Sequence, residues 1–258
     1  MKVALVTASS AGLGAAIARC LAPEMRVVIN YASSADRAAQ VKAEMEAIAE
    51  KYSSSTTTSS SSDDGPRFGI IQADLGKRGD IERLVAETIA MMGRLDVVVS
   101  NGGWTRVREF RDLDQNVDEE DWDRCFDINV KSHLHLLHTA RKYLDEAKGA
   151  FVTIASTAGV KPSGSSIPYA VTKAAQIHMV KCLAQAVGPN IRVNSVSPGL
   201  MMTDWAKQFP QDRLEAIRKA NPLQRVATVE DVAETVKMVV NNSSMTGQNT
   251  IVDAGFSV

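Results

Sequence analysis

Cysteine is scarce in this 258-residue chain: only Cys20, Cys125 and Cys182 occur, odd in number, widely spaced and each set in a helical pattern. That pattern excludes a disulfide framework and a cysteine metal site, and it reads as three reduced packing residues. No apolar run approaches the roughly 20 residues of a membrane-spanning helix. Met1-Lys2 leads straight into an apolar strand without the basic, apolar and small-residue order of a signal peptide, so a soluble, cytoplasmic protein is expected. Net charge is also nearly absent, at a formal -1 from 29 basic and 30 acidic residues well mixed along the chain. Nothing therefore marks a polyanionic partner such as nucleic acid or an anionic membrane, and a small ligand is expected. Histidine is sparse, and in SHLHLLH (132–138) His133 and His135 fall on different helical faces, so no metal site is expected; a surface or inter-subunit helix is.

What the chain has in plenty is apolar character, 45% of its residues, arranged in alternating types. Short β-branched runs lie at 3–7, 26–30, 69–73, 95–100, 150–156, 191–197 and 250–255. Nearly all are too apolar for a strand with one wet face, so they read as strands of a parallel sheet. Helix-period segments at 12–22, 35–51, 79–92, 119–147, 169–187 and 229–240 supply the crossovers that parallel strands require. The expected fold is α/β: one doubly wound Rossmann domain over 1–258, a seven-stranded parallel sheet flanked by helices, with ligands at the carboxyl ends of the strands. One segment, YSSSTTTSSSSDDGPR (52–67), carries no periodic signal and is read as a solvated, flexible insertion.

TASSAGLG (7–14) joins the first strand to a helix. Gly12 and Gly14 let backbone N–H groups and the helix dipole point at a phosphate, and Ser9 and Ser10 add hydroxyl donors. Ala8 stands where such a turn usually has glycine, and it is tolerable only if its φ is negative and its methyl group turns away from the ligand. Taken alone, this motif leaves open a simple tight turn. Much later, PYAVTK (168–173) sets Tyr169 and Lys173 four apart on one helix face. Ser156 precedes Tyr169 by 13 positions, at the carboxyl end of the fifth strand, and Asn129 lies a further 27 back in a helical pattern. Each is weak alone; their order and setting give them weight.

Together these residues resemble the classical short-chain dehydrogenase/reductase family over nearly the whole chain. TASSAGLG resembles the family's TGxxxGxG turn, ADL (73–75) its adenine-site aspartate, SNGG (100–103) its NNAG, and SPG (197–199) its PG turn. Asn129, Ser156, Tyr169 and Lys173 match its catalytic tetrad. Ala8, Ser100 and Gly103 depart from the pattern, and only Ala8 threatens cofactor binding. The resemblance implies an oxidoreductase exchanging a hydride between a nicotinamide cofactor and a carbonyl or secondary alcohol. It implies cofactor contacts from Thr7, Ser9, Ser10, Gly12, Leu13, Gly14, Asn30, Tyr31, Ala32, Ser33, Asp74, Leu75, Asn101, Gly102, Gly103, Tyr169, Lys173, Pro198, Gly199 and Thr203. It also implies a homo-oligomer, dimer or tetramer, built on the helices at 119–147 and 169–187 and the C-terminal strand.

Chemistry assigns the tetrad its roles. Reducing a ketone creates an alkoxide, which needs a proton donor within reach; Tyr169 is that donor. Lys173 is expected to lower the phenol's pKa by its charge, Ser156 to orient the carbonyl, and Asn129, by resemblance, to anchor a water returning protons to the lysine. In VVINYASSADR, Tyr31 falls where an NAD site tends to carry a carboxylate, so NADP(H) is expected, its 2′-phosphate received by Asn30, Ser33, Ser34 and Arg37. The NYAxS stretch resembles NADPH-using keto- and naphthol-reductases of the family. Residues 200–225 fall where the family keeps its substrate lid, with Met201, Met202 and Trp205 as apolar lining; Trp104 is a candidate substrate contact within a solvated charged run, 104–124. Two other readings stay open: a redox-silent member acting as cyclase, isomerase or regulator, and a scaffold that lost the nucleotide through Ala8.

Overall fold

The structure, a computed structural model, describes residues 1–55, 65–206 and 211–258. Seven strands, β1 (Lys2–Val6), β2 (Met25–Tyr31), β3 (Phe68–Gln72), β4 (Val97–Ser100), β5 (Ala150–Ile154), β6 (Arg192–Pro198) and β7 (Asn249–Val252), pair in parallel in the order 3-2-1-4-5-6-7. The order reverses between β1 and β4, which opens a crevice at their carboxyl ends.

Alternate residues of β1 to β6 feed two separate cores. Val6, Ile29, Val99 and Val152 pack under α1 (Gly12–Leu21), α2 (Ala35–Ser55) and α8 (Val229–Asn241). Leu5, Val28, Val98 and Phe151 pack under α3 (Arg78–Met92), α5 (Ser132–Ala147) and α6 (Ile167–Val187). Burial on both faces is why these strands carry no alternation of polar residues.

The helix expected at 119–147 forms, with one widened turn. It comprises α4 (Glu119–Phe126), a π-helical stretch Asp127–Lys131 and α5, and Asn129 sits in the wide turn, fully buried. Such bulges are common at functional sites because they re-aim side and main chain. Helix α2 runs to Ser55, four residues into the segment expected to be flexible; residues 56–64 lie outside the described chain. A further helix, α7 (Gln211–Ala220), falls within the expected lid. Among the cysteines, all free, only Cys125 is fully buried; Cys20 is half-buried and Cys182 exposed, so the packing reading holds for Cys125 alone. No helix among the described residues is long and apolar enough to cross a membrane.

Candidate active site

A cleft of about 760 Å³ opens over the carboxyl ends of the strands. Gly12, Leu13, Asn101 and Gly103 line it close to Thr203 and Trp205 of the lid segment, Ser156, Tyr169 and Lys173 form the floor, and Pro198 and Gly199 complete the lining. The motifs at 7–14, 100–103, 156–173 and 197–199 therefore meet at one place.

The β1–α1 turn is held by side chains that sequence reasoning assigned to the ligand. Ser9 is fully buried; its hydroxyl donates to the Val6 carbonyl and accepts from the Asn30 backbone N–H. Asn30 is equally buried: its Oδ1 accepts from Ala8 N–H at 3.0 Å and its amide donates to the Ile71 and Ala73 carbonyls. Neither has a group to spare for a phosphate, so both are corrected from ligand contacts to the struts that shape the turn. Thr7 is another strut, its Oγ1 accepting from Asn101 N–H and donating to Val99. Ser10, half-buried, leaves its hydroxyl as the turn's available one.

Ala8 has φ +49°, so the condition of a negative φ is not met. Flanking amides hold it there: Asn30 takes its N–H, and Asn101 Nδ2 donates to its carbonyl at 3.1 Å. A left-handed alanine costs about 1–2 kcal/mol, part of which glycine gives back through its unfolded-state entropy. Ala8→Gly is therefore expected to raise stability by about 0.5–1 kcal/mol, read from urea midpoints. An unchanged or lower midpoint would show that the turn carries no strain.

Gly14 is required by close approach: a Cβ there would lie 2.5 Å from the Ala8 carbonyl oxygen and 2.6 Å from Asn101 Nδ2. Helix α1 then presents its N-terminal N–H groups to the cleft, the geometry that takes a pyrophosphate. Leu75 packs against Gly102, where a Cβ would meet its Cδ1, and Asp74 Oδ1 accepts from Gly76 N–H to close the adjoining loop. At the end of β2, Tyr31 is half-buried, Ala32 and Ser33 are exposed, and Arg37 reaches the cleft, donating to Ser34 Oγ and pairing with Asp204 of the lid segment at 3.3 Å. These residues suit a dinucleotide laid across the strand ends.

The catalytic group is built around the start of α6. Ser166 caps the helix by accepting from Tyr169 N–H, and Pro168 occupies its first turn. Ser156 caps the short turn after β5, its Oγ accepting from Ala158 N–H, and its side chain lies beside the Tyr169 phenol. Lys173, buried below, donates from Nζ to the Ile154 carbonyl at 2.9 Å and to Gln176 Oε1 at 3.0 Å; its Nζ lies 5.7 Å from the Tyr169 ring centre. Asn129 Nδ2 donates to the Trp104 carbonyl and Thr172 Oγ1, while its Oδ1 accepts from Trp104 N–H. The four tetrad residues thus converge.

Their electrostatics differ from expectation. Burial pushes the Tyr169 phenol up to about 12, opposed by the Ser156 hydroxyl beside it, and burial brings Lys173 down to about 7. Withdrawing a charged form from water outweighs the attraction expected between ammonium and phenolate, and the lysine's donors face Ile154 and Gln176 instead. Tyr169 is held as a neutral phenol, the form that gives a proton.

Trp104 does not line the cleft. It lies between the Arg106 and Arg124 guanidinium groups, and Trp205 takes the place over the site, 6.2 Å from Tyr169 between ring centres. The charged run is not simply solvated either: Asp121 is buried and paired with Arg106 and Arg108, which fastens the 104–118 loop over the start of α6. Of the expected lid lining, Met201 and Trp205 face the cleft while Met202 is 64% exposed.

Two polar residues lie beneath the site, one placed differently by its sequence pattern and one that the pattern did not mark. His133 faces inward on α5, fully buried, rather than lying on a surface, and Gln176 is its partner on α6. Gln176 sits three after Lys173 on the same helix face, so the spacing held the signal. Burial, with Lys173 adding to it, brings His133 down to about 3. From its ordinary 6.5 down to about 3 the unfolded chain binds a proton here that the native protein refuses, so stability falls as pH falls through that window. The stability read from urea unfolding is expected to fall between neutrality and mild acid by on the order of 2–4 kcal/mol. The slope is expected to flatten in His133→Gln; equal slopes in the two proteins would contradict it.

A doubly wound sheet with a glycine-turn cradle and a Ser-Tyr-Lys floor defines a nicotinamide-dependent oxidoreductase fold and site. Residues 7–257 match the family described as enoyl-(acyl carrier protein) reductase. The chain is 36% identical over 257 residues, 98% of this chain and 95% of the other, to a granaticin polyketide synthase putative ketoacyl reductase 2 of Streptomyces violaceoruber. It is 29% identical to a 3-oxoacyl-[acyl-carrier-protein] reductase of Staphylococcus epidermidis, covering 98% of both chains. A Burkholderia cenocepacia short-chain dehydrogenase solved in complex with NADP superposes with a TM-score of 0.84 at 31% identity, covering 100% of this chain and 98% of that one. The chain belongs to the short-chain dehydrogenase/reductase family.

Proposed function

We propose that the protein is an NADP(H)-dependent reductase of a carbonyl on a moderately apolar small molecule. The observation that carries this reading is the shared cleft: Ser156, Tyr169 and Lys173 form its floor directly beside the Gly12–Leu13 turn. The α1 N-terminus, Ser10 and the Asn101–Gly103 segment would hold the pyrophosphate and the adjoining ribose, and Lys173 the nicotinamide ribose. A bound nicotinamide supplies the hydride.

The protein's own part is proton delivery and orientation. Ser156 would donate to the substrate oxygen and fix its direction, and Tyr169, neutral at physiological pH, would protonate that oxygen as charge develops on it. Lys173, near 7, would be replenished through the wide turn at Asn129. Phe110, Met201, Trp205 and Phe256 give the substrate side an apolar, partly aromatic wall, which suits a flat or polyketide-like ketone and excludes water from the reacting atoms.

NADP(H) is favoured by what stands after β2. Tyr31 replaces the carboxylate that would repel a 2′-phosphate, and Arg37 offers a charge at the cleft edge, with the Ser33 and Ser34 hydroxyls close by in sequence. Parallel fluorescence titrations with NADPH and NADH test the reading: tighter NADPH binding supports it, and binding of neither overturns it. Arg37→Ala is expected to weaken NADPH about tenfold, the value of one exposed charge-assisted contact, and to leave NADH within about twofold. Equal losses for both would remove Arg37 from the 2′-phosphate site.

A further inference from the structure

From Lys173 runs a chain of four buried polar side chains, of which the three beyond the lysine are not used by the tetrad chemistry. Lys173 Nζ donates to Gln176 Oε1 at 3.0 Å; Gln176 Nε2 lies 3.1 Å from His133 Nε2; His133 Nδ1 lies 2.6 Å from Ser100 Oγ. Relative exposures are 3%, 0%, 0% and 2% along the chain, and the links join α6, α5 and the end of β4. Burying this many polar groups is costly unless each is satisfied, so the chain is a built feature.

Its polarity is fixed from one end. The ammonium has only donors, so Gln176 must present its oxygen to Lys173 and its amide N–H to the other side. That N–H also reaches the Ile154 carbonyl at 3.2 Å, the same oxygen that Lys173 binds. His133 Nε2 then has to accept, which places the imidazole hydrogen on Nδ1, donating to Ser100. An imidazole held neutral is no proton carrier, so the chain orients and polarises; it does not relay.

We propose that Gln176, anchored by His133 and Ser100, is a positioning residue that holds the Lys173 ammonium and sets the pH range over which it stays charged. The proposal rests on the reductase reading of the site. Around Lys173 the other groups are the Cys125 thiol from α4, His133 from α5, Tyr169 on its own helix and the Ile154 carbonyl from β5. None is an anion in the native protein at neutral pH, so the Gln176 oxygen and the Ile154 carbonyl are the acceptors that favour the charged lysine.

The test follows the Lys173 ε-carbon by NMR in protein labelled at lysine, with the resonance assigned by its loss in Lys173→Arg. Gln176→Leu is expected to lower the Lys173 midpoint by about 1 pH unit, and Gln176→Glu, of nearly the same size, to raise it by at least about 1 unit. His133→Leu is expected to shift it in the direction of Gln176→Leu by less. In ketone reduction, kcat of Gln176→Leu falls about tenfold at neutral pH with KM within about twofold, and the alkaline limb of the rate profile moves with the NMR midpoint. Midpoints of both Gln176 variants within about 0.3 unit of wild type would overturn the proposal, whichever way turnover changed. A wild-type protein that turns over no ketone would instead sink the reductase reading, and the NMR midpoints would still decide the role of Gln176.

Discussion

Tyr169→Phe lowers kcat for ketone reduction by about 10³-fold while NADPH affinity stays within about threefold. The reasoning is that a positioned proton donor contributes 10²–10⁴-fold, and the phenol is the acidic hydrogen above the buried lysine that the cleft exposes to substrate. Phenylalanine keeps the ring and its packing against Trp205 while removing the hydroxyl beside Ser156. The nucleotide cradle around Gly12 and Asn101 does not touch that hydroxyl, so binding is spared. Single-turnover rates with a saturating ketone, beside a nucleotide titration, separate the two effects. A rate within about tenfold of wild type would place the proton donor elsewhere.

The second large effect is expected at Gly14. Gly14→Val would put a branched side chain where even a Cβ lies 2.5 Å from the Ala8 carbonyl and 2.6 Å from Asn101 Nδ2. The Ala8–Asn101 bond must break or the turn must move, and overpacking of this kind costs about 1–3 kcal/mol. Displacing the turn pulls the α1 N-terminus off the pyrophosphate, so NADPH affinity is expected to fall at least about 100-fold. Circular dichroism distinguishes loss of the site from loss of the fold, because the core under α3, α5 and α6 takes no residue from the turn. Retained affinity in a folded Gly14→Val protein would mean that the cradle is not where the nucleotide sits.

The sheet was legible because parallel strands buried on both faces write themselves as apolar runs, from VALVT to the run before SPG, separated by helical periods. Asn129, Ser156, Tyr169 and Lys173 could be picked out because they keep their order and spacing; Ser156, Tyr169 and Lys173 line the cleft, and Asn129 is buried behind them on Thr172 and Trp104. What the sequence hid were matters of direction and burial. Nothing in the letters TASSAGLG tells that Ser9 turns inward to Val6, or that Asn30 spends its amide on Ala8 and the end of β3. The sign of the Tyr169 shift was hidden for the same reason: spacing gives proximity to Lys173, whereas desolvation depends on the whole pocket. Two tryptophans near the site could not be ranked by position; Arg106 and Arg124 hold Trp104 away, and Trp205 comes over from the lid segment. Ala8 misled most, since its left-handed φ is sustained by two distant amides, Asn30 and Asn101.

The most direct test of the account is to follow NADPH consumption by the purified protein across a panel of cyclic, aromatic and acyl-thioester ketones, with product analysis. The account predicts that at least the flatter, apolar ketones consume NADPH and yield the secondary alcohol in equal amount. A protein that binds NADPH yet forms no alcohol from any of them would contradict it.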